Sequence, residues 1–430
     1  MKQINHEILS IAVPSIITNI TTPLLALMDV VIVGHMGSAD YIAAIAVGGT
    51  IFNMLYWLFA FLRMGTSGLT AQANGASDHG ETSLVLMRGL SVALGASLIM
   101  LLLQKPILGI AIGILEVKGD VAEMVREYFS ILIWGAPAYL ATFVLTGWFL
   151  GLKEAKVPMW VSFIINLSNI AVSLTLVFVF GMKVKGVACG TLAAQWIGFM
   201  VGISIALMRF RPVIASWREL LDTSELKRFF SVNIDIFFRT LCLIAVTVWF
   251  TRIGSTQGTV ILAVNTLLMQ FFILFSYFMD GFAFAGEALC GNCIGSGDRE
   301  GLVRTIKALF RWSMVMVIAF TAIYAVAGEG IMSLLSDDRS VILSSREFYS
   351  WVIAIPAVGF AAFTWDGIFI GATRTREMLI SIAGATMVYF GLYTLLFPVL
   401  GNHGLWIAFL SYLLCRGLIL TMLRKRILKM

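Results

Sequence analysis

Apolar residues dominate twelve stretches of the chain, at about 7–33, 42–72, 84–113, 124–150, 157–181, 185–209, 229–253, 260–291, 303–335, 345–370, 377–399 and 403–423. Each is long enough for a helix to cross a bilayer core, which takes about 20 apolar residues. Between them stand short runs rich in Gly, Asp and Ser, the residues of turns: HMGSAD, NGASDHGE, IGSTQG, IGSGDRE, SDDRS and GNHG. The pattern predicts an all-α integral membrane protein of twelve transmembrane helices. The first run follows a single Lys2, reaches about Val33 and meets no small-residue cleavage site, so it reads as a retained helix rather than a signal peptide.

A repeat underlies the pattern. Gly37-Ser38 returns as Gly254-Ser255, 217 residues on (254 against 37), and at the same separation Ala46-Val47 returns as Ala263-Val264 and Ala71 as Ala288. After a three-residue insertion, Gly75 and Asp78 return as Gly295 and Asp298, 220 on (295 against 75). Gly147, Gly151 and Gly181 then match Gly367, Gly371 and Gly401. Six segments per copy give both copies the same orientation. The expected organisation is two pseudo-symmetric six-helix lobes, 1–210 and 229–430, joined by a cytoplasmic linker at 211–228. Such repeats are a mark of transporters, whose substrates bind between the copies near the membrane midplane.

Composition narrows the function further. Of 430 residues, 59% are hydrophobic and 13% charged, where a soluble domain has roughly 25% charged. That leaves no room for an appended soluble enzyme. The net charge of +6 comes from alternate loops: Lys153 and Lys156; Arg209, Arg211, Arg218, Lys227 and Arg228; Arg299, Arg304 and Lys307; Arg374 and Arg376; and Arg424, Lys425, Arg426 and Lys429 in the tail. The positive-inside rule then puts both termini in the cytoplasm and removes any need for a nucleic-acid partner. Cys290 and Cys293 form a CxxC without a second pair or a nearby His, so neither a metal site nor a disulfide is expected. The one Asp pair, Asp337-Asp338, stands in an outside loop, which argues against a metal-dependent membrane enzyme.

Polar residues inside apolar helices are costly, about 2.5–3.5 kcal/mol for a charge at the centre, and each asks for a reason. Asp29 sits in PLLALMDVVIVG, six residues after Pro23. The proline frees a backbone carbonyl, and a lone acid in low dielectric is suited to exchanging a proton. Asn166, Asn169 and Ser173 share one face of the fifth segment and are candidates to hydrogen-bond Asp29. Asp366 beside Trp365 in the tenth segment, Asp280 and Glu287 in the eighth, Arg239 in the seventh and Arg63 in the second are candidates for the substrate cleft. The separation of 217 aligns Arg63 with Asp280, which predicts that the two pair.

The motifs PLLALMDVVIVGHMGS, FLRMGTSGLTAQANGA, MDGFAFAGEALCG, WDGIFIGATRTREM and GNHGLW together resemble the multidrug and toxic compound extrusion (MATE) transporters, DinF branch, over essentially the whole chain. The resemblance implies a V of two six-helix lobes and secondary antiport of protons or sodium against amphipathic, often cationic, organic compounds. It also implies a cofactor-free protein of the inner membrane, expected to be a monomer. Asp29 falls on the family's first-helix acid, Asn166 and Asn169 on its fifth-helix polar cluster, and Asp366 where some members carry a tenth-helix acid. Ser173 departs from the pattern, since many relatives have Asp there. With no clear acid in the seventh helix either, protons are favoured over sodium. The alternatives are a sodium-coupled antiporter and a lipid-linked oligosaccharide flippase of the same superfamily. The flippase would be expected to have more intramembrane Arg and Lys than this sequence offers.

Overall fold

The structure, a computed structural model, describes residues 2–34, 38–213, 219 and 222–428. Gly37 of the repeat and the basic residues Arg218 and Lys429 lie outside the described residues. Among the described residues the regular structure is entirely helical. The helices are α1 (Lys2–Gly34), α2 (Ala39–Leu58), α3 (Phe61–Gly75), α4 (His79–Leu102), α5 (Gln104–Ile114), α6 (Gly119–Leu132), α7 (Ala136–Gly151), α8 (Lys156–Leu174) and α9 (Lys183–Ile205). After the linker come α10 (Thr223–Thr256), α11 (Thr259–Gly295), α12 (Arg299–Leu335), α13 (Arg339–Gly371), α14 (Thr375–Leu400) and α15 (Asn402–Leu423).

Eleven spans among the described residues are long and apolar enough to cross a membrane. α2 with α3, and α6 with α7, each count as one span, broken at Phe59–Ala60 and by a 3₁₀ turn at Ile133–Gly135. The second break fits Pro137 in the first turn of α7, where a missing N–H costs least. α1, 33 residues long, joins the eleven, a count compatible with the twelve expected. Side chains such as Val326 (89% exposed) and Leu334 (86%) face outward, as suits lipid rather than water.

Helix ends and turns fix the register of the repeat. Asp78 Oδ1 accepts the Glu81 N–H at 2.8 Å at the start of α4, and Asp298 Oδ1 accepts the Gly301 N–H at 2.8 Å at the start of α12. Left-handed turn residues recur in pairs: Ser77 with Gly297, Lys153 with Thr373, and Gly181 with Gly401, each 220 apart (297 against 77). The α2–α3 span and α11 also begin and end 220 apart, Ala39 against Thr259 and Gly75 against Gly295. The separation is therefore 220 from the start of that span onward, and the shorter 217 register corrects to it. Arg63 is equivalent to Ala283, not to Asp280. The 217 register rested on Gly-Ser and Ala-Val dipeptides, which recur by chance in apolar sequence.

Lys153 is exposed yet holds φ at 64°. A left-handed backbone costs a residue with a Cβ about 1–2 kcal/mol, and glycine is the usual residue at this position after a helix. Lys153→Gly is expected to raise the melting temperature in detergent; a lowered one would show that the side chain contributes more than the backbone costs.

The chain divides into two compact units, Ile17–Phe230 and Met1–Ile16 with Ser231–Met430, called here the N-unit and the C-unit. Within the C-unit the start of α1 lies on α11, where Gly281 admits the Ala12 carbonyl to 2.8 Å from the place a Cβ would take. Within the N-unit the linker is tied to the ends of α3 and α4. Arg88 donates to the Glu219 carbonyl at 3.0 Å, the Val213 N–H to Ser83 Oγ at 3.1 Å, and Arg228 to Gln72 at 2.9 Å. Both cores are aromatic, with Tyr56 stacked on Tyr139 at 3.9 Å in one and Phe250, Trp406 and Phe409 in edge or tilted contact in the other.

Candidate coupling site

Asp29 is buried in α1, 4% exposed, within the N-unit. Thr191 of α9 lies 3.2 Å from its Oδ2, and Asn169 of α8 donates to Thr191 Oγ1 at 2.9 Å. Thr191 Oγ1 is also 3.0 Å from the Val187 carbonyl one turn back on its own helix. A hydroxyl has one proton to give, so Thr191 serves either the Asp29 carboxylate or the Val187 carbonyl. When Asp29 is ionised, Thr191 donates to it. When Asp29 is protonated, it can donate to Thr191 Oγ1 while Thr191 turns to Val187. The chain Asn169–Thr191–Asp29 thus has a distinct arrangement for each protonation state.

Local sequence explains the closeness. Gly190 lets α8 approach α9, since a Cβ there would lie 2.8 Å from the Ser173 nitrogen and 2.9 Å from its Cα. Gly48 makes room for the ring of Tyr128, 2.5 Å from where its Cβ would be, and Tyr128 is near enough to Asp29 to feel its charge. Asp29 Oδ1, Asn169 Oδ1 and Ser173 Oγ are buried without a hydrogen-bond partner among the described residues. No basic side chain among those residues forms an ion pair with Asp29. Asn166 does something else. Its Nδ2 donates to the Thr21 carbonyl at 3.1 Å, bracing α1 just before Pro23.

In the C-unit, Asp366 of α13 (6% exposed) accepts from both Arg239 of α10 and Arg416 of α15 at the same Oδ2. Asp280 of α11 is half-buried and close enough to act electrostatically on Arg416. Glu287 is buried two turns further along α11. Trp365 points elsewhere, donating to Thr421 Oγ1 at 2.8 Å and packing edge-on against Phe310. Arg63, half-buried on α3, belongs to the N-unit. Sequence reasoning named Asn169 as a partner for Asp29, and named Asp366 and Arg239 as cleft candidates without pairing them. It missed Thr191, one hydroxyl among many, and Arg416, whose signal was a single charge in the apolar run YLLCRGLILTML.

Comparison with known proteins follows the same repeat. The family model described as MatE matches residues 14–175 and again 234–393, its two matches starting 220 apart (234 against 14). The chain belongs to the MatE family. It is 36% identical to DNA damage-inducible protein F of Escherichia coli K12 over 418 residues, 97% of this chain and 91% of that one, which places this MatE chain in the DinF branch. It is 23% identical to the probable multidrug resistance protein NorM of Idiomarina loihiensis, over 96% of this chain and 92% of the relative. Among solved structures it is similar to a MATE in the straight conformation, with a TM-score of 0.88 at 19% identity (99% and 97% of the two chains covered). It is also similar to a mutant of the Vibrio cholerae MATE transporter VcmN, with a TM-score of 0.87 at 14% identity (100% and 98% covered). These likenesses establish the MATE fold. Members of the family are transporters, and several of the relatives are named multidrug resistance proteins.

Proposed function

We propose that this MatE chain is a proton-coupled antiporter that expels amphipathic, often cationic, organic compounds across the inner membrane, with both termini cytoplasmic and the monomer as working unit. Asp29 binds proton and substrate cation in turn. The observation that carries this reading is a buried carboxyl group with no basic partner among the described residues, joined to a hydroxyl that has a second acceptor within reach. Such a group has one charge to trade. Protonation from outside displaces the cation, and deprotonation toward the cytoplasm restores its place, since the two compete for one carboxylate.

One carboxylate trading one proton for one monovalent cation makes the exchange electroneutral. A one-unit pH difference then sustains about a tenfold substrate gradient, and the membrane potential adds nothing. The test is transport of a fluorescent organic cation in proteoliposomes under imposed pH and sodium gradients, each applied alone, with the potential clamped. Uptake driven by the pH gradient alone is expected. A second reading, sodium coupling, is favoured by Asp29 Oδ1 and Asn169 Oδ1, both buried without a hydrogen-bond partner among the described residues, and uptake driven only by the sodium gradient would establish it instead. A flippase is disfavoured because Arg239 and Arg416, which would have to hold a pyrophosphate, are engaged by Asp366.

A further inference from the structure

A groove of about 900 Å³ lies between α8 and α9 on the surface of the N-unit. Ligand pockets hold about 300–1,000 Å³, so it has room for a molecule of that size. Both helices belong to spans long and apolar enough to cross a membrane, Lys156–Val179 and Lys183–Phe210, and an occupant at that depth must offer apolar surface. The walls are Trp160 of α8, Trp196 and Met200 of α9, and Met208 just beyond it, between 37% and 77% exposed. The Trp196 indole donates to the Trp134 carbonyl at 3.2 Å, which holds that wall in place. Helices that associate in membranes meet through small residues, whereas these large walls with two flexible methionines suit an acyl chain better than a partner helix. At the repeat register of 220, Trp160, Trp196 and Ser204 correspond to Ile380, Arg416 and Arg424, so this lining belongs to one copy only.

One end of the groove is positive. α9 passes into a π-helical turn at Ala206–Phe210, a wider turn frequent at functional sites, and Arg209 of that turn lines the groove. Arg209 pairs with Glu154 at 2.6 Å, which ties it to the α7–α8 turn, where Lys153 and Lys156 stand exposed. Lys156 lies one turn before Trp160 on the same face of α8. Glu154 offsets one of these three positive charges, and a guanidinium with five N–H donors can serve an anion besides that carboxylate. α8 also begins without a capping side chain, so its free N–H groups add to the positive potential. We propose that the groove is a binding site for an anionic phospholipid, with an acyl chain along the Trp and Met walls and the headgroup phosphate on Arg209 and Lys156. Basic residues next to a membrane helix attract anionic headgroups, and a phospholipid answers the apolar groove and its positive end at once. Because α8 carries Asn169 and α9 carries Thr191, a lipid seated between the two helices also stiffens the frame of the coupling site. The proposal stands without proton exchange at Asp29, since lipid binding in detergent requires no transport.

The experiment records thermal unfolding and native mass spectra of the purified full chain in detergent, with dioleoyl phosphatidylglycerol or dioleoyl phosphatidylcholine added. Phosphatidylglycerol is expected to raise the melting temperature by at least about 3 °C, saturably, and to remain bound in the mass spectrum, while phosphatidylcholine does neither. Lys156→Gln combined with Arg209→Gln is expected to fold, since exposed ion pairs contribute little, and to lose the preference for phosphatidylglycerol. Ser204→Trp, which places a ring in the groove from an exposed position, is expected to lose both the bound lipid and the shift. Equal shifts from the two lipids in wild type would overturn the proposal, as would a preference for phosphatidylglycerol kept by either variant. An equal shift from glycerol phosphate alone would overturn it too, by showing an anion site that does not use the groove. A chain that is dimeric in lipid-free detergent, and monomeric as Ser204→Trp, would give the groove to a second copy and overturn it as well. Were Ser204→Trp not to fold, wild type and the charge variant still decide.

Discussion

Asp29→Asn is expected to reduce proton-driven export to the rate of empty liposomes while the protein stays folded and in the membrane. Asparagine keeps the size of the side chain, and its amide can still meet Thr191, so a buried hydrogen bond worth about 1 kcal/mol is retained. What it loses is the charge and the exchangeable proton. The same variant separates coupling from binding. In wild type, proton and cation compete for one carboxylate, so raising the pH depletes the proton and tightens cation binding. Where the carboxyl is mostly protonated, the gain is up to about tenfold per pH unit. A titration of cation binding in detergent across about pH 5–8 should therefore rise in wild type and lie flat in Asp29→Asn. Wild-type export by the variant, or a pH profile that the substitution leaves unchanged, would move the coupling away from Asp29.

Large features of this molecule were legible in the sequence because they rest on many residues at once. Twelve helices follow from apolar length, and the repeat follows from glycines and aspartates at turns, where backbone conformation and capping leave few substitutes. Detail that rests on one atom was not legible. Asn166 and Asn169 share a helix face, but the three-residue step between them is enough to send one amide to the Thr21 carbonyl and the other to Thr191. Periodicity assigns faces, and hydrogen bonds are made by single atoms. The register error has the same origin. Identical dipeptides in apolar helices carry little information, whereas a left-handed residue after a helix does, and three such pairs set the register at 220. Arg416 was overlooked because one charge hardly changes the hydropathy of a 22-residue helix. Its meaning depends on Asp366, which lies 50 residues away in the chain.

Valine at Gly147 or at Gly367 is expected to abolish recovery of monodisperse protein, the largest stability effect the structure implies. In the N-unit a Cβ at Gly147 would strike the Arg63 carbonyl, and one at Gly151 would lie 2.8 Å from the Ser67 carbonyl oxygen. In the C-unit the matching positions meet the matching backbone: Gly367 against the Ala283 carbonyl, and Gly371 at 2.5 Å from the Glu287 carbonyl oxygen. Helices α3 and α7, and likewise α11 and α13, therefore touch backbone to backbone at two points one turn apart. Small residues permit this in membranes, where close packing and polar contact replace the hydrophobic drive between helices. A side chain in the way could rotate, but a helical carbonyl cannot, so the helices must separate along the contact. Overpacking a core costs about 1–3 kcal/mol even where side chains absorb it, and here none is available. Gly367→Val would also displace Asp366, its neighbour in sequence, from the two arginines, adding the cost of a broken buried ion pair. Gly147→Val carries no such second cost, so alanine at the two positions should rank them, with Gly367→Ala melting lower than Gly147→Ala. Gly95→Val and Gly391→Val, whose Cβ positions meet nothing within 4 Å, serve as controls and should behave as wild type in size-exclusion chromatography. Equal recovery of all four valine variants would mean that the helices tolerate separation and that the glycine steps do not set their spacing.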